Sequence, residues 1–593
     1  MSQAMSSQAM SSQGMSSQGM SQVTSPVTPR VLRNPVIRGF APDPSMVRVG
    51  DWYYVATSSF EWYPTIPIHR SRDLAHWEYA GHVRGAVPGD SLAGVPDSGG
   101  VWAPSLSWDG ERFWVVYSVV RSVGTPYFDL DTHVSTATHV AGQWTAPRRV
   151  ASHGFDPALF HEDGRLWLLN MQSDHRPGGQ RFAGIVMTEL DRETLGPVGD
   201  THLLLQHERL VEGPKLLRRG GWYHLVLAEG GTGVEHGVLV ARSRTLTGPY
   251  QLDTRPLLTS RDDRSVPLQK AGHAELVETP DGGWVLSHLT ARPLRTPHGP
   301  RCTLGRETAI QTVVWDADGW PRLGHGGWHP AVEVQVGIGG GVGLGGGVPA
   351  PEEAPEPYVP EPSEVLAWPW STLRSYADAS WADTTTCPGR IRLRGRHGPE
   401  SRWAQSLLAQ RITEHRAEAQ VTVEARPRTF TQAAGLVLWY SAESYLSLDL
   451  TWAEPEGEAQ RGQQWRGGGR TVLSLVERDE EGARQAAVVE VDARRPVTLG
   501  VTVEGAEARF WFVRNPDGNA DGDGDADGNA DGDGDVDGVR VPVGPPLDFS
   551  RLSDDYGSRL RFTGAMAGIH ARDLVDASFT ADFSGFRLTC VPD

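Results

Sequence analysis

An all-β architecture, a five-bladed β-propeller followed by a β-sandwich, is what this chain predicts, and three observations predict it. One short phrase recurs five times within the first 325 residues: an acidic or Pro-bearing step, an apolar run, a Gly turn and an aromatic-rich run. Past about residue 365 the chain alternates apolar and polar residues with little helical period. A Gly-rich and then Pro/Glu-rich stretch separates the two regions.

The copies of the phrase are PDPSMVRVGDWYYVATSS from Pro42, WAPSLSWDGERFWVVYS from Trp102, FDPALFHEDGRLWLLNMQ from Phe155, EGPKLLRRGGWYHLVLAEGG from Glu212 and AGHAELVETPDGGWVLSHLT from Ala271. Taking Asp43, Trp102, Asp156, Glu212 and His273 as equivalent points, the intervals are 59, 54, 56 and 61 residues. Each copy is a hairpin signature, two runs rich in β-branched and aromatic residues around a Gly or Asp-Gly turn. A repeat of that length holds about four strands and cannot bury its faces alone; stacked radially it makes a propeller blade.

In chain order, residues 1–30 open with a Met-Ser-Ser-Gln-Ala/Gly repeat that lacks a basic segment and an apolar core, so it reads as a disordered tail rather than an export signal, and a cytoplasmic location is expected. The propeller occupies 31–335, its last strands running through TAIQTVVWDADGWPRL. Two outer strands echo each other, IHRSRDLAHWEYAG in the first blade and VLVARSRTLTGPYQL in the fourth. Residues 336–364 form the linker, and 365–593 the sandwich. Within the latter, 515–538 is an Asp/Gly tract read as an inserted disordered loop, with weak calcium binding as a minor alternative because its glycines and acids are out of register with a calcium loop.

Composition narrows the function. The formal charge of −18 comes from 55 basic and 73 acidic residues, nine of the acids in the Asp/Gly tract, with no basic stripe. Nucleic acid is not expected as a partner, and neither is a membrane, since no run reaches the roughly 20 apolar residues a spanning helix needs. A homo-oligomer is left open. Cys302, Cys387 and Cys590 are three and far apart, which fits neither a disulfide framework nor a zinc site.

The chemistry-bearing residues follow from the repeat. Asp43, Asp156 and Glu212 fall at early positions in blades one, three and four, each with a following or nearby Pro, and equivalent positions of a propeller converge on its axis. Carboxylates brought together repel, so their pKa values separate, which is what one acid and one base acting on a glycosidic bond require. Phe60, Trp62, Tyr63 and Trp102 supply aromatic faces on which sugar rings stack. Trp102 is read equally as wall or core, whereas Trp52, Trp114 and Trp222 read as core. His273 and Arg306 stand in the fifth repeat and just after it; beside Glu307, Arg306 reads equally as a structural ion pair or a ligand contact.

Together, GFAPDPSMVRVGDWYYVATSSFEWYPTIPIHRSRDLAHW, SGGVWAPSLSWDG, FDPALFHEDGR, VEGPKLLRRGGWYHLVLAEGGT, GHAELVET and LGRETAIQ resemble glycoside hydrolase family 43, closest to its β-xylosidase branch with a C-terminal concanavalin-like β-sandwich. The resemblance implies an inverting exo-glycosidase releasing xylose from the non-reducing ends of short β-1,4-xylooligosaccharides, with an α-L-arabinofuranosidase or a dual enzyme as the alternative. A carbohydrate-binding propeller without turnover is the alternative from another class. By the same resemblance Asp43 is general base, Glu212 general acid and Asp156 the residue that raises and orients the acid. Phe60, Trp102, Thr232, His273 and Arg306 match substrate-pocket positions, and Phe562 in LRFTG is a candidate for a sandwich loop leaning over the pocket. No cofactor is required; a hydrated calcium near His273 is compatible with the resemblance. Two departures stand out. Ala41 replaces the Asn common before Pro-Asp-Pro, and the stretch between Pro293 and Leu304 is short, which bears on the pocket rim.

Overall fold

In the computed structural model the described residues are 29–123, 128–337, 366–454, 469–514 and 538–592. The serine-rich tail, the linker and the Asp/Gly tract singled out above lie almost wholly outside them.

Five antiparallel sheets follow one another along the chain. The first blade comprises Ser45–Val49, Trp52–Ala56, Pro67–Ser71 and Glu78–His82. The second comprises Gly100–Trp108, Phe113–Val120, Leu130–Ala137 and Arg148–Ala151. The third is Ala158–Glu162, Arg165–Gln172, Gly184–Leu190 and Pro197–Leu205. The fourth, Val211–Arg219, Trp222–Glu229, Gly237–Ser243 and Gln251–Leu252, carries Leu258–Thr259 as a fifth short strand. The last is Gln269–Glu278, Trp284–Ala291, Glu307–Trp315 and Pro321–Leu323. The two echoing segments run from the third strand of their blades, Pro67–Ser71 and Gly237–Ser243, through the Ser-Arg-x-Leu turn into the edge strand, Glu78–His82 and Gln251–Leu252.

Ring closure uses both ends of the propeller. Pro29–Arg33 pairs antiparallel with Glu333–Gly337, and Val36 and Ile37 donate to the Thr308 carbonyl of the last blade. Both closing strands run past the domain edges predicted from composition, because pairing rather than residue content ends a propeller.

Beyond the linker, two large sheets face each other. One has the order Gly482–Glu490, Arg470–Asp479, Ser444–Ala453, Gln432–Ser441, Met566–Asp573, Ser406–Arg411, Ser371–Leu373. Its eighth strand is Trp62–Tyr63, contributed by the propeller and paired to Leu373 and Thr372. The facing sheet is built on Arg416–Ala425, which pairs with Thr580–Val591 and Val497–Glu504. Inward residues such as Val421, Val423, Leu436, Leu438, Leu448 and Leu499 interdigitate into one core. Among the described residues the only helices are two 3-10 turns, Pro88–Asp90 and Phe549–Arg551, and no helix is long and apolar enough to cross a membrane.

Candidate active site

The repeat has a finer phase than the spacing of acids suggests. Asp43, Ala103, Asp156, Gly213 and His273 all have φ between +38° and +55°, so these five are the equivalent positions, and Trp102 and Glu212 come one residue earlier. Four are followed by Pro, giving Asp43-Pro, Ala103-Pro, Asp156-Pro and Gly213-Pro, with His273-Ala as the fifth. In blades two, four and five the strand register slips at this step, between Trp102 and Ser105, Glu212 and Lys215, and Gly272 and Glu275. A left-handed residue at a bulge bends the strand and re-aims its neighbours. Asp43, Asp156 and His273 therefore reach the axis from one slot, whereas Trp102, Phe155 and Glu212 share the preceding slot.

Both slots open onto a cavity of about 260 Å³. Of the site residues expected from sequence, Asp43, Asp156, Glu212, Phe60, Trp102, Thr232, His273, Arg306 and Phe562 line it, whereas Trp62 and Tyr63, expected as aromatic faces for the sugar, are buried away from it in the strand that pairs with Thr372 and Leu373. Also in the wall, and not foreseen, are Phe128, Phe155, Arg181, Phe182, Leu210 and Leu560. Phe155 carried a readable signal, since it precedes Asp156 as Trp102 precedes Ala103; the others sit on connections with no repeat to place them.

Asp43 is held as a carboxylate. Burial alone would raise its pKa, but Arg306, His273 and a hydrogen bond from Ser58 outweigh that and lower it. Arg306 Nη1 donates to Oδ1 at 2.9 Å and the Ser58 hydroxyl to Oδ2 at 2.6 Å. Ser58 in turn accepts the Ala103 N–H at 2.7 Å, tying blade one to blade two. Arg306 is almost wholly buried and does not pair with Glu307, which binds Arg292 instead. The structural ion pair offered by their adjacency in sequence is thereby replaced by one to Asp43.

Glu212 is the opposite case. Burial, then the Asp43 charge, push its pKa up to about 7 against the pull of Arg306. Asp156 is also raised, by burial first and then by Glu212 and Asp43. The two carboxyls thus keep a proton between them near neutrality. Asp156 accepts the Gly213 N–H, which fixes the backbone immediately after Glu212. His273 is buried, and desolvation lowers it to about 4, so the ring is neutral; its Nδ1 is 3.9 Å from Asp43 and 3.8 Å from Asp156. The ring rests on Gly213, where a Cβ would come within 3.1 Å of it.

Two residues further along each strand a second tier forms: Ser45, Ser105, Ala158, Lys215 and Glu275. Lys215 Nζ donates to Ser105 at 2.7 Å and Ser45 at 3.2 Å and lies 3.5 Å from Glu275. Ser45 donates to the same Glu275 carboxylate at 2.6 Å. A single ammonium from the fourth blade therefore ties blades one, two and five together below Asp156 and His273.

Near His273 the described residues offer no group of three His, Cys, Asp or Glu ligand atoms for the calcium that the resemblance allows, so the site is compatible only with a hydrated ion held largely through water. Calcium takes several oxygen ligands. Among the described residues, the one group of three ligand atoms close enough to share an ion is Cys302, Asp554 and Asp555, elsewhere in the fold. There, Lys270 already binds Asp554 at 3.0 Å and Asp555 at 2.6 Å. Beneath His273 the charge of Lys215 would repel a second cation.

Aromatic rings form the side walls. Phe60 stacks on Phe562 with centroids 5.8 Å apart, and Trp102 meets Phe562, Phe128 and Phe155 at 5.3, 5.6 and 5.7 Å. The indole N–H of Trp102 donates to the Ser98 carbonyl, so Trp102 is both core and wall. Phe562 comes from the sandwich: its carbonyl accepts from Arg306 Nη2 at 3.0 Å and its N–H donates to Ser98 at 3.0 Å. Of the tryptophans read as core, Trp114 is buried, Trp52 is half-buried against the core of the first two blades, and Trp222 is half-buried; arginines cover the last two, Arg70 and Arg72 on Trp52 and Arg242 and Arg244 on Trp222.

Comparison with known proteins gives a consistent picture. Residues 32–321 match the glycosyl hydrolases family 43 profile, and 362–528 match that of the beta xylosidase C-terminal concanavalin A-like domain. The chain is 35% identical over 572 residues to xylosidase/arabinosidase 43B of Humicola insolens, covering 94% of this chain and 97% of that one. It is also 35% identical to a xylan 1,3-beta-xylosidase of a Vibrio species, covering 94% and 98%. The crystal structure of xylan beta-1,4-xylosidase from Bacillus halodurans C-125 superposes with a TM-score of 0.80 at 36% identity, covering 94% of this chain and all of that one.

Proposed function

The chain belongs to glycosyl hydrolases family 43, and we propose that it is an exo-acting, inverting β-xylosidase that releases xylose from the non-reducing ends of short β-1,4-xylooligosaccharides. The observation that carries this reading is the pairing of an ionised Asp43 with a Glu212 still protonated to about pH 7 in one small, aromatic-walled cavity.

Inversion needs a base that takes a proton from water and an acid that gives one to the leaving oxygen. Asp43 serves as the base: its lowered pKa keeps it ready to accept, and Arg306 and Ser58 fix which lone pair faces the water. Glu212 serves as the acid, since at neutral pH it still holds the proton that the departing oxygen needs. Asp156 acts through Glu212, by sharing charge repulsion and by anchoring the Gly213 amide. The aromatic walls take the apolar faces of the sugar, and Arg306 and neutral His273 offer hydrogen bonds to its hydroxyls. The cavity lies at the small end of ligand sites, which suits removal of one terminal sugar rather than cleavage within a long chain.

Supporting the xylose assignment are the relatives of that activity that match nearly the whole chain. The dual name of the Humicola relative and the 1,3 linkage of the Vibrio relative define the competing substrates. Rates on aryl β-D-xyloside, aryl α-L-arabinofuranoside, and β-1,4- and β-1,3-xylobiose, with proton NMR of the first sugar released, decide among them. The expected result is fastest release from the β-1,4 xylosides, with α-xylose as the initial anomer. Preference for the arabinofuranoside, or β-xylose appearing first, would overturn the reading.

A further inference from the structure

We propose that a second cavity beside the catalytic pocket binds a carboxylate on the leaving-group side of the substrate, so that the enzyme accepts xylooligosaccharides bearing a uronic acid next to the scissile bond. This rests on the xylosidase reading above.

The cavity measures about 550 Å³ and lies between propeller and sandwich. It shares Arg181 and Leu560 with the catalytic pocket. Leu560 is half exposed, so the common wall is at the mouth, where a leaving group extends once Glu212 has protonated its oxygen. Four arginines line it, Arg181, Arg402, Arg559 and Arg561, against two carboxylates, Asp97 and Glu443.

The local pairing leaves positive charge uncompensated. Asp97 is already committed, accepting from Arg374 at 2.6 Å and from the Ala442 N–H at 3.2 Å. Glu443 is shared, 2.7 Å from Arg559 and 4.0 Å from Arg402. Arg561 reaches Glu480 with Nη2 at 3.0 Å, yet its side chain is only 5% exposed and Nη1 has no hydrogen-bond partner. Arg181 lies over the rings of Phe128 and Phe182, its Nε equally without a partner; no carboxylate pairs with it among the described residues. Buried guanidinium N–H groups left unpaired carry a free-energy cost. A neutral sugar hydroxyl relieves it weakly, whereas a carboxylate matches the planar fork of an arginine and neutralises its charge.

The test compares xylotriose with xylotriose carrying a 2-linked glucuronic acid on its middle residue, in the wild type and in the triple variant Arg402→Met/Arg559→Met/Arg561→Met. Arg402 and Arg559 are well exposed and Arg561 lies outside the catalytic pocket, so the reaction on neutral substrate should survive, and a thermal melt checks that the variant is folded. The expected result is that kcat/KM for the acidic substrate falls about tenfold in the variant, the scale of one lost charge-assisted contact, while that for xylotriose stays unchanged. An unchanged ratio of acidic to neutral rates would overturn the proposal. Calorimetry with glucuronate alone separates the sources. If the free sugar acid binds and the variant abolishes it, while the acidic trisaccharide gains nothing, the cavity is an inhibitor site and the substrate assignment fails. A wild type inactive on xylotriose refutes the xylosidase reading, and glucuronate binding then still decides the cavity: loss in the variant upholds an anion site, no binding sinks it.

Discussion

Asp43 and Glu212 are the same chemical group driven in opposite directions by what surrounds each. Asp43 has an arginine, a hydroxyl and an imidazole around it; Glu212 has burial and a like charge. The base works only when ionised and the acid only when protonated, so the profile of kcat/KM against pH should be a bell. Its alkaline limb falls through about 7 as Glu212 loses its proton, and its acid limb lies below the ordinary Asp range. Measuring initial rates on xylobiose from pH 3 to 9 checks this, and an alkaline limb near 4 to 5 would remove Glu212 from the role. Asp43→Asn should lower kcat by a factor of about 10³ or more in a protein that still folds, since general acid–base contributions alone reach 10²–10⁴. Glu212→Gln should slow xylobiose far more than an aryl xyloside with a good leaving group, which needs little proton donation. Equal losses on the two substrates would argue against the acid. At this scale the sequence was informative where a Pro follows the functional position, because Pro-fixed strand starts recur and align. It was silent on Arg181 and Phe182, which stand on an irregular connection.

The strand starts decide how those residues meet. One left-handed residue per blade, at the same place, turns five strands so that two successive side chains each reach the axis, and Gly213 occupies that place in the blade that carries the acid. Gly213→Ala would combine a strained backbone at φ +55° with a Cβ 3.1 to 3.3 Å from three atoms of the His273 ring. The expectation is a loss of roughly 1–2 kcal/mol in stability, read by denaturant titration, together with a fall in kcat as the ring shifts. The second tier makes a separate claim. Lys215 lowers the pKa of Asp156 and that of His273, so Lys215→Met should raise the pKa of both groups, read from the Asp156 carboxyl and His273 ring resonances followed against pH. A purely structural role would lower the amount of folded enzyme and leave both titrations where they are. Spacing alone located the repeat to within one residue. Aligning the repeats on their acids sets Glu212 level with Asp43, whereas the left-handed backbone positions align Gly213 with Asp43. That offset lets two acids approach one sugar from different slots.

The propeller closes on itself, but the larger sandwich sheet is completed only by a strand from the propeller. Two residues of the first blade, Trp62 and Tyr63, form the last strand of a sandwich sheet, a pairing invisible in sequence because nothing local marks a two-residue strand with a partner more than 300 positions away. The same interface carries a buried ionic network. Arg292 binds Glu307 through two N–H groups at 2.8 Å each, and Glu414 of the sandwich at 2.7 Å, and also donates to the Thr413 carbonyl. Arg38 also pairs with Glu414. Glu307 is wholly buried, and its remaining partner would be the Gly39 N–H. Arg292→Met keeps the bulk of the side chain but strands that carboxylate, a change that typically costs about 3–5 kcal/mol when one member of a buried pair is removed. Calorimetric unfolding should therefore show a clear drop in melting temperature. It also reads the coupling of the two domains: a single transition that moves as one unit means that Trp62–Tyr63, the Arg306–Phe562 bond and the Arg292 network bind them into one cooperative structure. Two transitions, of which only one moves, would mean that the domains unfold independently. The wall that Phe562 lends to the pocket would then be held by local contacts rather than by the fold as a whole.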